Sequence, residues 1–264
     1  MTSRNGEDEP GAHAEAEPIS ELIERIWSSL PVLDLKARDL DRNRIVTAAR
    51  HDPAHAAFDV LRARLVEALA RKKWRRVGIT SPTKGCGKSF TAVNLAVALS
   101  RLEDCRTVLL DLDMRHPGLA RTLGVRAETA MADLLRNRVP MQAVLRRVES
   151  KAPGIGRSLA VGLGNRTEPF AAEILAQRGT SEAILRIEAM LDPRIVLLDL
   201  PPALAQDDVI AMKPNLDCVL LVVGGGKTTS RDLQETTRRL GEDLPVLGVV
   251  LNQGQGRDVT GYTY

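Results

Sequence analysis

The sequence predicts an α/β fold in which a parallel sheet is flanked by helices, with a mostly helical N-terminal extension. Short apolar runs that suit buried parallel strands lie at 77–80, 107–110, 195–198, 218–223 and 246–251. Stretches of helical periodicity separate most of these runs, and this alternation is typical of a parallel sheet. At 264 residues and 44% hydrophobic, the chain can bury one substantial core.

A glycine-rich turn follows the first of these strands and leads into a long helical pattern. The turn reads Ser-Pro-Thr-Lys-Gly-Cys-Gly-Lys-Ser over residues 81–89. Gly85 and Gly87 allow the backbone to curl so that successive N–H groups point inward, and the helix N-terminus adds partial positive charge. Such a nest suits a triphosphate: Lys88 would reach the β- and γ-phosphates, and the Ser89 hydroxyl would ligate Mg²⁺.

The loop departs from the Gly-x-x-x-x-Gly-Lys-[Ser/Thr] pattern at its first position, where Pro82 replaces glycine. A plain Gly-rich turn that starts a helix is the alternative, and the strand before the turn and the helix after it disfavour that alternative. We expect Gly85, Cys86, Gly87, Lys88, Ser89 and Phe90 to contact the nucleotide. For Cys86, a thiol of lowered pKa and a small loop-filling residue are both open, and the second is favoured.

Two of the other apolar runs end in aspartate. Asp111-Leu-Asp113 follows 107–110, and Asp199 follows 195–198. Carboxylates at the carboxyl ends of parallel strands lie on the ligand side of an open α/β sheet. Ordinary solvated turns are the alternative, but two such acids beside a phosphate loop favour a metal-binding or base role.

The chain divides into four predicted parts. Residues 1–17 are expected to be disordered, 18–53 to form an amphipathic helix and a linker, 54–251 to form the nucleotide-binding domain and 252–264 a flexible tail. Within the domain, helical stretches are expected near 129–136, 142–147 and 171–191, and a strand at 158–162. The Gly-Gly-Gly-Lys-Thr-Thr run at 224–229 looks like a second Gly-Lys-Thr phosphate loop, but we interpret it as a decoy. Its threonines are expected to cap the helix 230–240.

Several other classes of site are disfavoured. The start of the chain does not resemble a signal peptide and no apolar run is long enough to cross a bilayer, so we expect a cytoplasmic protein. Three cysteines without Cys-x-x-Cys spacing indicate neither a disulfide framework nor a zinc site. The basic run 71–76 is more typical of a helix end than of a nucleic-acid surface, since aromatic residues make up 3% of the chain.

The tyrosines are confined to the last three residues. The chain has two, Tyr262 and Tyr264, and random placement would give this arrangement with odds of about 10⁻⁴. Because side chains on a flexible terminus do not pack a core, a chemical use of these phenols is favoured.

Taken together, these motifs resemble the bacterial tyrosine kinases of capsular and exopolysaccharide synthesis, over roughly residues 54–264. The resemblance rests on the nucleotide loop, on Val-Leu-Leu-Asp-Leu-Asp-Met-Arg (108–115), on Val-Leu-Leu-Asp-Leu-Pro-Pro (196–202), on the Glu-Pro-Phe-Ala-Ala-Glu-Ile-Leu segment (168–175) and on the terminal Tyr-x-Tyr. Residues 56, 59 and 62 do not reproduce the family's self-assembly pattern Glu-x-x-Arg-x-x-Arg.

The resemblance implies transfer of the ATP γ-phosphoryl group to tyrosine. The implied cofactors are ATP and Mg²⁺, the metal ligands are Ser89, Asp113 and Asp199, and the acceptors are Tyr262 and Tyr264. Lys88 would hold the phosphates, Asp111 would accept the phenolic proton and Asn252 would contact the adenine.

The resemblance also implies a separate membrane co-polymerase as activator, recruitment to the inner face of the membrane and a possible homo-oligomer, without a specific nucleic-acid partner. A regulatory ATPase switch of the partition or septum-site type is the alternative function.

Overall fold

The computed structural model describes residues 18–48, 52–152 and 154–254. The segment 1–17 and the tyrosines of the tail, for which predictions were made above, lie outside the described residues. Among those described, no helix is both long and apolar enough to span a membrane.

The described residues form one eight-stranded sheet with helices on both faces. The strands follow the order β1-β4-β5-β3-β6-β2-β7-β8. Neighbours pair in parallel except β4 with β5. The strands are β1 (Val32–Asp34), β2 (Arg76–Thr80), β3 (Thr107–Asp111), β4 (Leu145–Glu149), β5 (Leu159–Gly162), β6 (Ile195–Asp199), β7 (Cys218–Gly224) and β8 (Val246–Asn252). This confirms the predicted α/β fold.

The helices alternate with the strands over most of the chain. They are α1 (Ile19–Ser29), α2 (Ala37–Arg42), α3 (Pro53–Lys72), α4 (Lys88–Ser100), α5 (Leu119–Leu123), α6 (Met131–Leu135), α7 (Met141–Val144), α8 (Ala171–Leu175), α9 (Arg178–Leu191), α10 (Asp208–Met212) and α11 (Ser230–Leu240).

Alternate residues of the central strands point into two separate cores. In β3, Val108 and Leu110 belong to the core beneath α1 and α6–α10, whereas Leu109 belongs to the core beneath α3–α5. Helix α4 is buried at every residue from Thr91 to Ser100. Its burial on all sides holds in place the helix that follows the phosphate loop.

The N-terminal extension is joined to the sheet, which the sequence analysis did not predict. Residues 32–34, expected in a linker, form β1 and pair in parallel with 147–149 of β4. The helix expected near 142–147 ends at Val144, because Leu145–Glu149 form a strand between β1 and β5. Both strands depend on pairing partners distant in the chain, so local periodicity could not reveal them.

Helix α1 is amphipathic as predicted, but the domain covers only part of its apolar face. Trp27 is 5% exposed and belongs to the core beneath α9, whereas Ile19 is 76% exposed. The guanidinium of Arg106 lies 5.5 Å from the centre of the Trp27 ring, a cation–π arrangement. The C-terminal half of α1 therefore anchors the extension to the domain.

Candidate active site

The predicted phosphate-binding loop is formed by residues 81–87, between β2 and α4. Gly85 and Gly87 have φ values of 79° and 88°, in the left-handed region that other residues rarely adopt. A Cβ atom on Gly87 would also lie 1.9 Å from the side-chain nitrogen of Asn252. Helix α4 begins at Lys88, so the unpaired N–H groups of its first turn adjoin the loop.

Lys88 is the point at which three strand ends meet. Its Nζ atom lies 2.6 Å from Asp113 Oδ2, beyond β3, and 3.7 Å from Asp199 Oδ1, at the end of β6. It also donates to the Ser89 hydroxyl over 3.3 Å. Burial alone would lower the pKa of Lys88, but the carboxylates of Asp199 and Asp113 outweigh it and raise the pKa. The two carboxylates therefore favour the charged form of the largely buried Lys88 ammonium group.

Asp111 and Asp199 face each other across two neighbouring strands, since β3 and β6 pair with these residues in register. Asp199 is fully buried, and neither of its carboxylate oxygens has a hydrogen-bond partner among the described residues. Burial raises the pKa of Asp199 to about 6, although the Lys88 ammonium opposes this shift. Because buried polar atoms are nearly always hydrogen-bonded, these two oxygens, of which Oδ1 lies 3.7 Å from the Lys88 ammonium, indicate a place for a cation or water.

Asp111 is bonded to the backbone of its own chain through one oxygen. Its Oδ2 accepts from the N–H groups of Gly118 and Leu119, each over 3.0 Å, whereas Oδ1 is buried without a partner among the described residues. Burial, reinforced by the charge of Asp199, raises the pKa of Asp111 well above its ordinary value. Asp111 thus fixes the start of α5 and keeps one free oxygen.

An open cavity of about 470 Å³ lies over the phosphate loop. Six of its lining residues were predicted from the sequence as site residues: Gly85, Gly87, Lys88, Ser89, Phe90 and Asp113. Four others add polar or charged groups: Lys84, His116, Arg121 and Thr122. The sequence analysis missed these four, although Lys84 lies within the loop and His116 only three residues beyond Asp113. Lys84 Nζ lies 3.0 Å from His116 Nε2.

Cys86, within the loop, and Asn252, next to it, do not line this cavity. The Cys86 thiol is 1% exposed and lies 3.5 Å from the Thr228 hydroxyl. Burial disfavours the thiolate, but hydrogen bonds with Thr228 and Thr83 outweigh burial and lower the pKa of Cys86. Asn252 donates from Nδ2 to the Cys86 carbonyl over 2.9 Å and borders a neighbouring apolar groove.

An ion pair between a partly exposed arginine and a buried aspartate joins the acidic motif of β3 to two other segments. Arg115 Nε donates to both oxygens of Asp208, over 3.1 and 3.0 Å, and its Nη1 donates to the Pro169 carbonyl over 2.7 Å. Asp208 is fully buried. The motif ending in Arg115 and the segment 168–175, quoted separately above, are therefore in direct contact.

The predicted decoy at 224–229 does cap a helix, as expected. Thr229 is the N-cap of α11 and forms a capping box with Asp232. Lys227, however, donates to the Gly85 carbonyl over 3.1 Å, a contact that no motif or spacing predicted.

The described residues contain no group of three or more His, Cys, Asp or Glu side chains arranged to hold a metal ion. Mg²⁺ bound with a nucleotide keeps several waters and phosphate oxygens and takes few protein ligands. The Ser89 hydroxyl and the carboxylate of Asp199, whose oxygens accept no hydrogen bond among the described residues, fit that small share of the ligands.

Comparisons with known proteins identify the family of the chain and several relatives. Residues 77–262 match the CobQ/CobB/MinD/ParA nucleotide binding domain family, also called CbiA. The putative tyrosine-protein kinase EpsB of Ralstonia solanacearum is 32% identical over 203 residues, 76% of this chain and 26% of that protein. Tyrosine-protein kinase YwqD of Bacillus subtilis is 25% identical over 214 residues, 81% of this chain and 86% of that protein.

The fold is shared with the kinase domain of the Escherichia coli tyrosine kinase ETK, with a TM-score of 0.69, 24% identity and 81% of each chain covered. The chain spans about 26–30% of the length of the first three curated relatives that it matches. The names of these relatives confirm the resemblance to bacterial tyrosine kinases. Since the family match covers residues 77–262 and that region carries the phosphate loop, the chain belongs to the CobQ/CobB/MinD/ParA nucleotide binding domain family.

Proposed function

We propose that the chain is an ATP-dependent protein tyrosine kinase that phosphorylates Tyr262 and Tyr264 of its own C-terminal segment. In this proposal, residues 54–251 form the kinase unit and 252–264 carry the acceptors. The observation that carries the proposal is that Lys88, which lines the phosphate cavity with Asp113, lies within 4 Å of the carboxylates of both Asp113 and the buried Asp199. Relatives named tyrosine-protein kinases support it.

Lys88 and the loop amides would bind the phosphates. The Lys88 ammonium lies 2.6 Å from the carboxylate of Asp113, and the negative charge of a triphosphate would attract the same ammonium. Phosphoryl transfer requires mainly charge neutralisation and in-line placement, which a fixed ammonium and a backbone nest provide. Lys84 and Arg121, at the cavity wall, add positive charge where the γ-phosphate and the incoming phenol would meet.

Ser89, Asp113 and Asp199 would hold Mg²⁺, with Asp199 acting through water. When bound, this ion would neutralise charge on the β- and γ-phosphates. Asp111 would accept the phenolic proton through its free Oδ1, because its raised pKa makes it a stronger base once ionised. Its other oxygen stays bonded to the backbone of Gly118 and Leu119, so proton transfer would not release α5.

The proposal extends to the cellular role suggested by the relatives' names. One relative is the succinoglycan biosynthesis transport protein ExoP of Rhizobium meliloti, 27% identical over 254 residues. We infer that this chain regulates exopolysaccharide or capsule polymerisation and export. We also infer that a separate membrane co-polymerase activates it and recruits it from the cytoplasm to the inner face of the membrane.

Labelling with γ-³²P-ATP and Mg²⁺ tests the proposal, followed by mass spectrometry of the C-terminal peptide. The full chain is expected to gain phosphate on Tyr262 or Tyr264. Lys88→Met should abolish labelling, whereas the double variant Tyr262→Phe, Tyr264→Phe should lose the label and still bind ATP. Label that persists in the double variant would place the acceptor elsewhere.

An ATPase switch without kinase activity is the second candidate, because the matched family includes the MinD and ParA ATPases by name. In that case ATP would be hydrolysed at the same site, and neither tyrosine would gain phosphate even with the membrane activator present. Measuring phosphate release and tyrosine phosphorylation in the same reaction separates the two functions.

A further inference from the structure

The Gly-Lys-Thr loop at 224–229 lies against the phosphate loop, although the proposed kinase reaction assigns it no role. Lys227 Nζ donates to the Gly85 carbonyl over 3.1 Å, and Thr228 Oγ1 lies 3.5 Å from the Cys86 sulfur. The Gly224 N–H donates to Thr228 Oγ1 over 3.0 Å, and the capping box at Thr229 fixes the other end of the loop. Lys227 is therefore presented to the phosphate loop by a loop that is anchored at both ends.

The residues that end β8 make equivalent contacts. Asn252 Nδ2 donates to the Cys86 carbonyl over 2.9 Å, and Gln253 Nε2 donates to the Gly85 carbonyl over 3.3 Å. Gln253 has a φ of 58°, a left-handed conformation that non-glycine residues rarely adopt unless surrounding contacts hold them there. The Gly225 N–H donates to the Asn252 carbonyl over 2.8 Å, so the two supporting segments are also bonded to each other.

The three donors lie outside the phosphate cavity, since none of the donor residues lines it. In a planar trans peptide, the C=O and the following N–H point in opposite directions. Because the Gly85 and Cys86 carbonyls point to these donors, the N–H groups of Cys86 and Gly87 point to the opposite side of the loop. These are the amides that a phosphate nest needs.

We propose that Lys227, Asn252 and Gln253 are positioning residues, which orient the phosphate loop by holding the carbonyl groups of Gly85 and Cys86 on its outer side. They would contact the loop and not the nucleotide. The inference rests on the nucleotide binding proposed above. It also gives Asn252 a different role from the adenine contact predicted from the sequence.

The proposal makes a ligand-specific prediction. Removing an outer donor should weaken the binding of any ligand that carries phosphates, and leave the binding of adenosine unchanged. One neutral hydrogen bond corresponds to about a 3- to 10-fold change in affinity. Loss of an adenine contact would instead affect adenosine and ADP equally.

Calorimetric titration of the full chain with ADP, pyrophosphate and adenosine tests this prediction. The variants Lys227→Met, Gln253→Met and Asn252→Leu each remove one donor while keeping a side chain of similar length or volume. Loss of the neutral donors of Gln253 and Asn252 is expected to weaken ADP and pyrophosphate binding by about 3- to 10-fold, and loss of the charged donor of Lys227 by at least about as much. Each variant should change adenosine binding by less than about twofold. The control Lys151→Met, in the exposed turn after β4, should change none of the three affinities.

Repeating the titrations at about 0.05 M and 0.5 M salt separates orientation from long-range charge, because salt screens distant charges. An effect of Lys227→Met that disappears at high salt, or variants that bind pyrophosphate as the wild type does, would refute the inference. If Asn252→Leu weakens ADP and adenosine binding equally, Asn252 contacts the adenine instead. That result would refute the positioning role of Asn252. A wild-type chain that binds neither ADP nor pyrophosphate would instead refute the proposed function, and the inference with it.

Discussion

Replacing Asp199 with asparagine is expected to stabilise the nucleotide-free protein while abolishing its activity. Asp199 is fully buried, and burial raises its pKa to about 6 from an ordinary value of 3.8. At about 1.4 kcal/mol for each pKa unit, ionising Asp199 in the folded protein costs about 3 kcal/mol relative to the unfolded chain. An asparagine at this position carries no charge to desolvate, so the variant should recover most of this free energy.

The sign of the pH dependence follows from the raised pKa. The carboxyl of Asp199 binds its proton more tightly in the folded protein than in the unfolded chain. The stability that this proton gives to the folded protein is complete below pH 3.8 and is lost as the pH rises through about 6. The advantage of Asp199→Asn should therefore be small near pH 4, grow between pH 4 and 6, and level off above about pH 7.

Urea unfolding of both proteins at several pH values, without nucleotide, measures this difference. At pH 8, a gain of about 3 kcal/mol corresponds to a rise in melting temperature of roughly 6–12 °C for a domain of this size. The matched control is Asp243→Asn, because the exposed Asp243 pairs with Lys213 and its pKa is lowered by that hydrogen bond. An Asp199→Asn variant with a pH-independent change, or one that is less stable than the wild type at pH 8, would show that burial of this charge is not the dominant effect.

Two further substitutions test the packing around the site. Trp27→Ala should lower the free energy of unfolding by about 3–5 kcal/mol, because it removes the side chain that anchors α1. Ile19→Ala, at an exposed position, should change the free energy of unfolding by less than about 0.5 kcal/mol. Equal losses for the two variants in urea unfolding would contradict the partial docking of α1. Arg115→Met should cost about 3–5 kcal/mol at pH 8 by leaving Asp208 buried without its partner. The loss should shrink as the pH falls, because burial raises the pKa of Asp208 and the protonated carboxyl carries no charge that needs a partner. Adding Asp208→Asn should restore stability at pH 8, so a double variant no more stable than the single one would contradict the ion-pair explanation.

The phosphate loop and the acidic strand ends could be predicted because each is a local feature. A strand, a turn with Gly85 and Gly87, and a helix are specified within about fifteen residues, and the aspartates follow directly on apolar runs. That these ends meet also follows from the sequence, since the carboxyl ends of parallel strands share one edge of the sheet. The contacts of Lys88 with Asp113 and Asp199 agree with that expectation.

The features that were missed depend on residues far apart in the chain. Strand β1 is three residues long and forms only because β4, more than 100 positions later, offers an edge to pair with. Two side-chain contacts also join distant positions: Arg115 and Asp208 are separated by 93 positions, and Lys227 and Gly85 by 142. Neither hydrophobic periodicity nor motif spacing carries information about such pairs.

The class of fold, the phosphate loop and the identity of the acidic groups beside it are specified locally, because glycine conformation, strand hydrophobicity and chain direction each act over a few neighbouring residues. The ionisation of those groups and the orientation of the loop are specified only when the chain has folded. The pKa of Asp199 depends on how deeply the folded chain buries it and how close Lys88 comes, and the outward carbonyls depend on donors that follow β7 and β8. Burial and long-range contact are properties of the assembled protein, and they set the charge and geometry of the site.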